Sequence, residues 1–211
     1  DSLRSQIIHG DLNENNILVD ENSLIGLIDF GDICHSPLIN EVAIALTYVI
    51  LLNPTNWLES ASSVLSGYDC KNPLQRQEIE LLYQLIASRL CISVLNSAEA
   101  KAENGATEYI LQNEKPAWKT LRIWIRTNPI MVKNTFLKVC GFSIENRDSE
   151  TQLAKRKQVA SGSLRLSYAE PIHMVSAAFQ YMFDSTGNTY LDAYNNIPHV
   201  GHYHPEIAQV I

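Results

Sequence analysis

Residues 9 to 16 read His9-Gly10-Asp11-Leu12-Asn13-Glu14-Asn15-Asn16, and thirteen positions after Asn16 stands Asp29-Phe30-Gly31-Asp32. Short apolar runs flank both polar motifs: Gln6-Ile7-Ile8 before the first, then Asn16-Ile17-Leu18-Val19 and Leu24-Ile25-Gly26-Leu27-Ile28 between the two. Asp20-Glu21-Asn22-Ser23 is turn-forming sequence, so the last two runs read as a β-hairpin preceded by a loop. Each polar motif therefore sits in a strand, loop and hairpin setting.

Downstream the periodicity becomes helical. Ile39, Val42, Ala43, Leu46, Val49 and Ile50 recur at three- and four-residue steps, and Pro54 closes that segment. A longer helix is predicted from Gln75 to about Ala102, with Ile79, Leu82, Tyr83, Ile86, Leu90 and Val94 along one side. Shorter helices are expected at 116–126 and 130–140, each beginning near a proline. A few strands followed by several helices describe an α+β fold.

Composition shifts after Gly141. Ser143 to Gly162 is polar, with Asn146-Arg147-Asp148-Ser149-Glu150 and Lys155-Arg156-Lys157, and reads as a linker with room for one helix. From Pro171 the pattern is strand-like: Ile172 to Val175, Gln180 to Phe183, the turn Asp184 to Asn188, and Thr189 to Asp192. The expected division is a first domain over 1–143, a linker over 144–166 and the start of a second domain over 167–211. No internal repeat or low-complexity tract interrupts it.

Apolar residues make up 45% and charged residues 18% of the 211, the balance of a globular protein with a real core. The net charge is −7 and the 16 Lys and Arg form no basic run, which argues against a nucleic-acid binder and for small-molecule partners. Cys34, Cys70, Cys91 and Cys140 lie far apart, as expected of reduced, mostly buried thiols in a cytoplasmic protein. No run approaches the ~20 apolar residues of a membrane span, and no signal-peptide pattern opens the chain. Both ends read as cuts: the chain opens without Met, and Ala208-Gln209-Val210-Ile211 stops within an apolar pattern.

The H-x-D-x-x-x-x-N motif followed by Asp-Phe-Gly resembles the catalytic loop and D-F-G element of protein-kinase-like phosphotransferases. Gly10 between His9 and Asp11 is closer to the aminoglycoside phosphotransferase and choline kinase superfamily. Asn40-Glu41-Val42-Ala43-Ile44-Ala45 and Ser88-Arg89-Leu90-Cys91-Ile92-Ser93-Val94 are similar to its hydroxylysine kinase branch. The resemblance covers about two-thirds of the chain and implies the C-terminal lobe of that fold, using ATP and Mg²⁺. It implies Asp11 as the base for an acceptor hydroxyl, Asn16 and Asp29 as Mg²⁺ ligands, Asp32 as support for the metal, and His9 as a structural residue of the loop. No glycine-rich loop and no strand lysine precede His9, so the lobe that covers the nucleotide is expected outside these residues.

Arg89, Ser93 and Asn96 fall at i, i+4 and i+7 and make a polar stripe on the long helix. A guanidinium there suits the carboxylate of an amino-acid substrate. It equally suits a solvated surface or an ion pair within the lobe.

A second resemblance lies at the other end. Ser167-Tyr168-Ala169-Glu170-Pro171 and Tyr190-Leu191-Asp192-Ala193-Tyr194-Asn195-Asn196-Ile197-Pro198-His199-Val200-Gly201-His202-Tyr203-His204-Pro205 resemble the opening of a class III aminotransferase that uses pyridoxal phosphate (PLP), nearest the phospho-lyase branch. It implies the β-rich N-terminal segment of a PLP fold-type I enzyme, a homodimer through that part, and an anchoring lysine beyond Ile211, with none among these residues. The resemblance accounts for His199, His202 and His204 without zinc. The two together imply a fusion in which a kinase phosphorylates a hydroxylated amine or amino acid and a PLP-dependent partner processes the product. Two alternatives stay open: a transaminase with a degenerate kinase lobe, and a non-catalytic interaction module. The 211 residues alone are expected to show neither activity, with Phe179, Tyr181, Phe183, Tyr190 and Leu191 lacking their usual neighbours.

Overall fold

Pairing of the short strands sets the frame for the polar loops in the computed structural model, which describes residues 3–21, 23–104, 108–144, 149–160, 172–193, 201–202 and 205–208. Strand β1 (Ser5–Ile8) pairs antiparallel with β4 (Cys34–Pro37), and β2 (Ile17–Asp20) with β3 (Ser23–Leu27). The hairpin forms where the sequence places it. Strand β4 is the addition: only Ile8, 4% exposed, is buried in β1, so the β1–β4 pair carries no alternating apolar signal.

Helix α1 (Leu38–Leu52) follows β4 directly, and its register is set by Ile39, Leu46 and Ile50, all buried. Next comes α2 (Trp57–Lys71), absent from the sequence reading. The helix predicted from Gln75 is two helices, α3 (Arg76–Glu80) and α4 (Leu82–Asn104), parted at Leu81. A capping box starts α3, the Gln75 N–H donating to Glu78 Oε2 at 2.7 Å. The buried Glu78 carboxylate also accepts from Arg4 Nε at 2.9 Å and Arg4 Nη2 at 2.6 Å, tying the chain ahead of β1 to α3.

Ile79, Leu82, Ile86, Leu90 and Val94 are buried as their spacing requires, and α4 packs on α1 and α5 (Glu108–Trp124). Helix α5 begins well before Pro116, which lies inside it. A helical proline forfeits one N–H bond of the ladder, and here that loss does not set the start. Helix α6 (Pro129–Val139) does start on its proline. Trp124 closes the core, stacked on Tyr83 with centroids 5.1 Å apart and edge-on to Trp57 at 5.3 Å.

The chain divides into two units, 1–127 with 135–142, and 128–134 with 143–211. In the second, α7 (Ser149–Val159) lies in the stretch that the sequence reads as a linker with room for one helix, and β5 (Met174–Ala178), β6 (Tyr181–Asp184) and β7 (Thr189–Leu191) form an antiparallel sheet. A one-turn helix, α8, spans Pro205–Ala208.

The Asp184 carboxylate holds the β6–β7 turn. It accepts from the Thr186 and Asn188 N–H groups at 2.9 and 2.8 Å, and from the Thr186 and Tyr190 hydroxyls at 2.8 and 2.9 Å. Burial opposes its ionisation, but these donors and the Asn188 side chain outweigh it and hold the carboxyl well below the usual range. Asn128 Nδ2 donates to the Gly187 carbonyl at 2.7 Å and Asn134 Nδ2 to the Ser185 carbonyl at 3.0 Å, so the turn seats on the first residues of α6. Gly187, at φ 99°, passes so close that a Cβ would lie 3.0 Å from Met131 Cα.

Two expectations need correction. Cys34, Cys70 and Cys91 are exposed rather than buried, because each faces outward from its strand or helix; only Cys140 is half-buried, and burial pushes its thiol up to about 12. Phe183 is buried, unlike Phe179, Tyr181 and Leu191. Ser167 to Pro171, Tyr194 to Val200, Tyr203 and His204 lie outside the described residues.

Candidate active site

The loop after β1 turns sharply at Gly10, whose φ of 85° favours glycine. A Cβ there would lie 2.3 Å from the Asp32 carbonyl oxygen, so Gly10 is what allows the two polar motifs to meet. Glu41 of α1 caps the turn from below, its Oε2 accepting from the His9 and Gly10 N–H groups. His9 Nε2 lies 2.9 Å from the Ile28 carbonyl, which assigns the proton to Nε2, and its ring meets Phe30 with centroids 5.0 Å apart. His9 is thus a buried brace between the two motifs.

Asp11 is the centre of the cluster. Its Oδ1 accepts from Arg89 Nη2 at 2.6 Å and from the Tyr48 hydroxyl at 3.1 Å. Its Oδ2 accepts from Asn13 Nδ2 at 2.9 Å and, more distantly, from Asn16 Nδ2 at 3.4 Å. Arg89 Nη2 also donates to the Tyr48 hydroxyl at 2.8 Å, and the guanidinium carbon stands 5.5 Å from the Tyr48 ring centroid. Burial raises the Tyr48 hydroxyl above its ordinary value against the opposing pull of Arg89, so it stays a neutral donor to Asp11.

Asn16 caps the other side. Its Nδ2 donates to the Asp11 carbonyl at 2.9 Å, which turns the amide oxygen to the opposite side of the group. Its own carbonyl accepts the Ile28 N–H at 3.1 Å, placing Asp29 one residue beyond that bond. Asp29 is exposed and adopts a left-handed backbone, φ 61° and ψ 68°, ahead of the Phe30–Asp32 turn. Asp32 is exposed as well.

The structure therefore joins Asp11, Asn16 and Arg89 by direct bonds and brings Asp29 and Asp32 alongside through backbone contacts. The amide oxygen of Asn16 and the carboxylate of Asp29 are hard donors of the kind Mg²⁺ takes, with phosphate and water oxygens completing the shell. Among the described residues no three His, Cys, Asp or Glu side chains cluster as a metal site by themselves, so the ion would need those further oxygens. Of the polar stripe, Ser93 turns its hydroxyl back to the Arg89 carbonyl at 3.1 Å and Asn96 is exposed, leaving Arg89 as the member that enters the site.

The sequence reading did not single out Tyr48, Asn13 or the capping role of Glu41. Glu41 and Tyr48, seven residues apart, share one face of α1, and a polar pair on an otherwise apolar helix was the available signal. In the second unit, His202 Nε2 lies 2.7 Å from Asp192 Oδ2, and Gly201, at φ 76°, lets His202 pair with Phe179.

Residues 1–66 match the phosphotransferase enzyme family. The chain is 33% identical over 131 residues to a hydroxylysine kinase of Mus musculus, covering 56% of this chain and 34% of that protein. It is 36% identical over 66 residues to ethanolamine-phosphate phospho-lyase homolog 1 of Caenorhabditis elegans, covering 31% of this chain and 14% of that protein. It is 43% identical over 63 residues to an alanine–glyoxylate aminotransferase 2-like protein of Drosophila melanogaster, covering 29% of this chain and 13% of that protein. The chain thus spans about a third of the length of the hydroxylysine kinase and less of the others. No solved structure matches. Both resemblances read from the sequence have their counterparts: residues 1–66 are similar to the phosphotransferase enzyme family, a longer stretch is similar to hydroxylysine kinases, and a shorter one is similar to phospho-lyase and aminotransferase homologues.

Proposed function

We propose that residues 1–143 are the catalytic lobe of a cytosolic kinase that transfers the γ-phosphoryl group of ATP to a hydroxyl of a small amine or amino acid of the hydroxylysine kind. Asp11 orients the acceptor hydroxyl and takes its proton as the new O–P bond forms; the bond from the γ-phosphorus to the ADP oxygen breaks. Asn16 and Asp29 would hold the Mg²⁺, which would supply neutralisation of the phosphate charge, with Asp32 beside them. His9 and Gly10 brace the loop.

The observation that carries this reading is the Asp11 carboxylate fixed between Arg89, Tyr48, Asn13 and Asn16, with Asn16 bonded to the backbone next to Asp29. The likeness to hydroxylysine kinases supports the choice of acceptor.

Residues 144–166 are the proposed linker, and 167–211 the first segment of a PLP-dependent aminotransferase or phospho-lyase that consumes the phosphorylated product, dimeric through that part. PLP enters through the resemblance and the shorter matches alone.

The test is Asp11→Asn in the full-length protein. Turnover should fall by about 10²–10⁴-fold with Mg-ATP affinity nearly intact, since the carboxylate acts on the acceptor. Unchanged turnover with lost ATP binding would remove Asp11 from the base role.

A further inference from the structure

Arg89 is joined to Asp11 across 78 residues of sequence, and the form of the join is unusual for an arginine. A guanidinium offers five N–H donors in a planar fork that matches both oxygens of a carboxylate. Here Nη2 alone serves Asp11 Oδ1 and the Tyr48 hydroxyl, while Nε is buried and faces no acceptor. The pair is end-on, with the fork unused.

Asp11 has the opposite condition. A carboxylate has about four acceptor positions, and Arg89, Tyr48, Asn13 and Asn16 fill them. A base so saturated has no lone pair for an incoming hydroxyl, so one donor must leave before it can act. Asn13 is fixed through its Oδ1, which caps Asn15 N–H at 2.9 Å, and Asn16 through the Asp11 carbonyl. Arg89 is the donor with better bonds to gain elsewhere, and its side chain retains 21% exposure.

We propose that Arg89 is a carboxylate-operated latch. In the absence of acceptor it holds Asp11 Oδ1. An acceptor bearing a carboxylate takes the guanidinium in bidentate geometry, which supplies the missing partner for Nε and releases Oδ1 to the acceptor's hydroxyl. Recognition of the carboxylate and readiness of the base are then one event, and an amino alcohol without a carboxylate leaves the latch closed. This rests on the assignment of Asp11 as the base.

The test uses the full-length protein with hydroxylysine and with its decarboxylated amino-alcohol counterpart. Wild type should favour hydroxylysine in kcat/KM by at least about tenfold. In Arg89→Gln that ratio should collapse toward one, through a higher KM for hydroxylysine and a higher kcat for the amino alcohol, whose base is no longer held; Arg89→Lys, which keeps the charge and loses the fork, should fall between. Hydroxylysine binding without ATP, read by calorimetry, should weaken in Arg89→Gln and tighten in Asp11→Asn, because the latter unlocks Arg89. A preference that survives in both Arg89 variants, or weaker binding in Asp11→Asn, would overturn the latch. If wild type binds hydroxylysine through Arg89 yet transfers no phosphoryl group, the kinase reading falls and the release of a base falls with it, leaving Arg89 as a carboxylate-binding residue alone.

Discussion

Gly10 shows how much of the site depends on a residue with no side chain. Its φ of 85° and its approach to Asp32 leave no room for a Cβ at 2.3 Å from a backbone oxygen. Gly10→Ala should therefore push the Asp11 loop off the D-F-G turn, lowering stability by about 1–3 kcal/mol. Thermal unfolding of the variant measures this, and a melting temperature equal to wild type would mean the loop has room that the structure denies it. Asp11, Asn16 and Asp29 were singled out in the sequence by the spacing of the two polar motifs, and the fold brings the loops that carry them together. Tyr48 was not, because it is one aromatic on a helix whose periodicity reports only its buried side. Arg89 was legible as a polar interruption, but its partner Asp11 was not, since nothing in a linear sequence measures a separation of 78 residues closed by folding.

At the scale of elements, long apolar stripes were read well and polar ones badly. Helix α1 and the buried face of α4 follow their spacing, whereas α2 buries only Ala61 and Leu65 behind a surface rich in serine, and so reads as loop. The break at Leu81 escaped notice because Ile79 and Leu82 keep the apolar pattern running through it. At the break the Leu81 N–H donates back to the Glu78 carbonyl at 3.2 Å, a tightened last turn that closes α3.

Burial opposes the ionisation of Glu78, but the hydrogen bonds from Arg4 and the Gln75 backbone outweigh it, and its carboxyl is held below the ordinary value. A depressed carboxyl contributes stability above its unfolded value, near 4.3, and loses it as pH falls through the lower folded value. Unfolding midpoints followed downward from pH 6 should decline with this contribution, about 1 kcal/mol after allowance for screening at half-exposed Arg4. Glu78→Gln should start lower at pH 6 and decline less. Parallel acid profiles for the two proteins would show that the pair does not couple to folding.

Over the whole molecule, the chain divides into two units, and residues 128–134 group with the second although the sequence reads as one domain through 143. The first has a continuous buried core from α1 to Trp124, and it carries every residue of the candidate site. The second is a small sheet with an exposed face at Phe179, Tyr181 and Leu191 and a turn that Asp184 satisfies fully. Its strands were legible from alternation and from the Asp-Ser-Thr-Gly-Asn turn. The seat of that turn on Asn128 and Asn134 was not, because a single amide side chain gives no periodic signal. None of the described helices is long and apolar enough to cross a membrane.

The central claim is that the two polar motifs form one Mg-ATP phosphotransfer site. Phosphoryl transfer from labelled ATP to hydroxylysine, measured in the full-length protein with and without Asp29→Ala across a Mg²⁺ titration, tests it most directly. The account predicts transfer by wild type that depends on Mg²⁺ and is abolished in the variant at every Mg²⁺ concentration. Near-normal transfer by Asp29→Ala would contradict it.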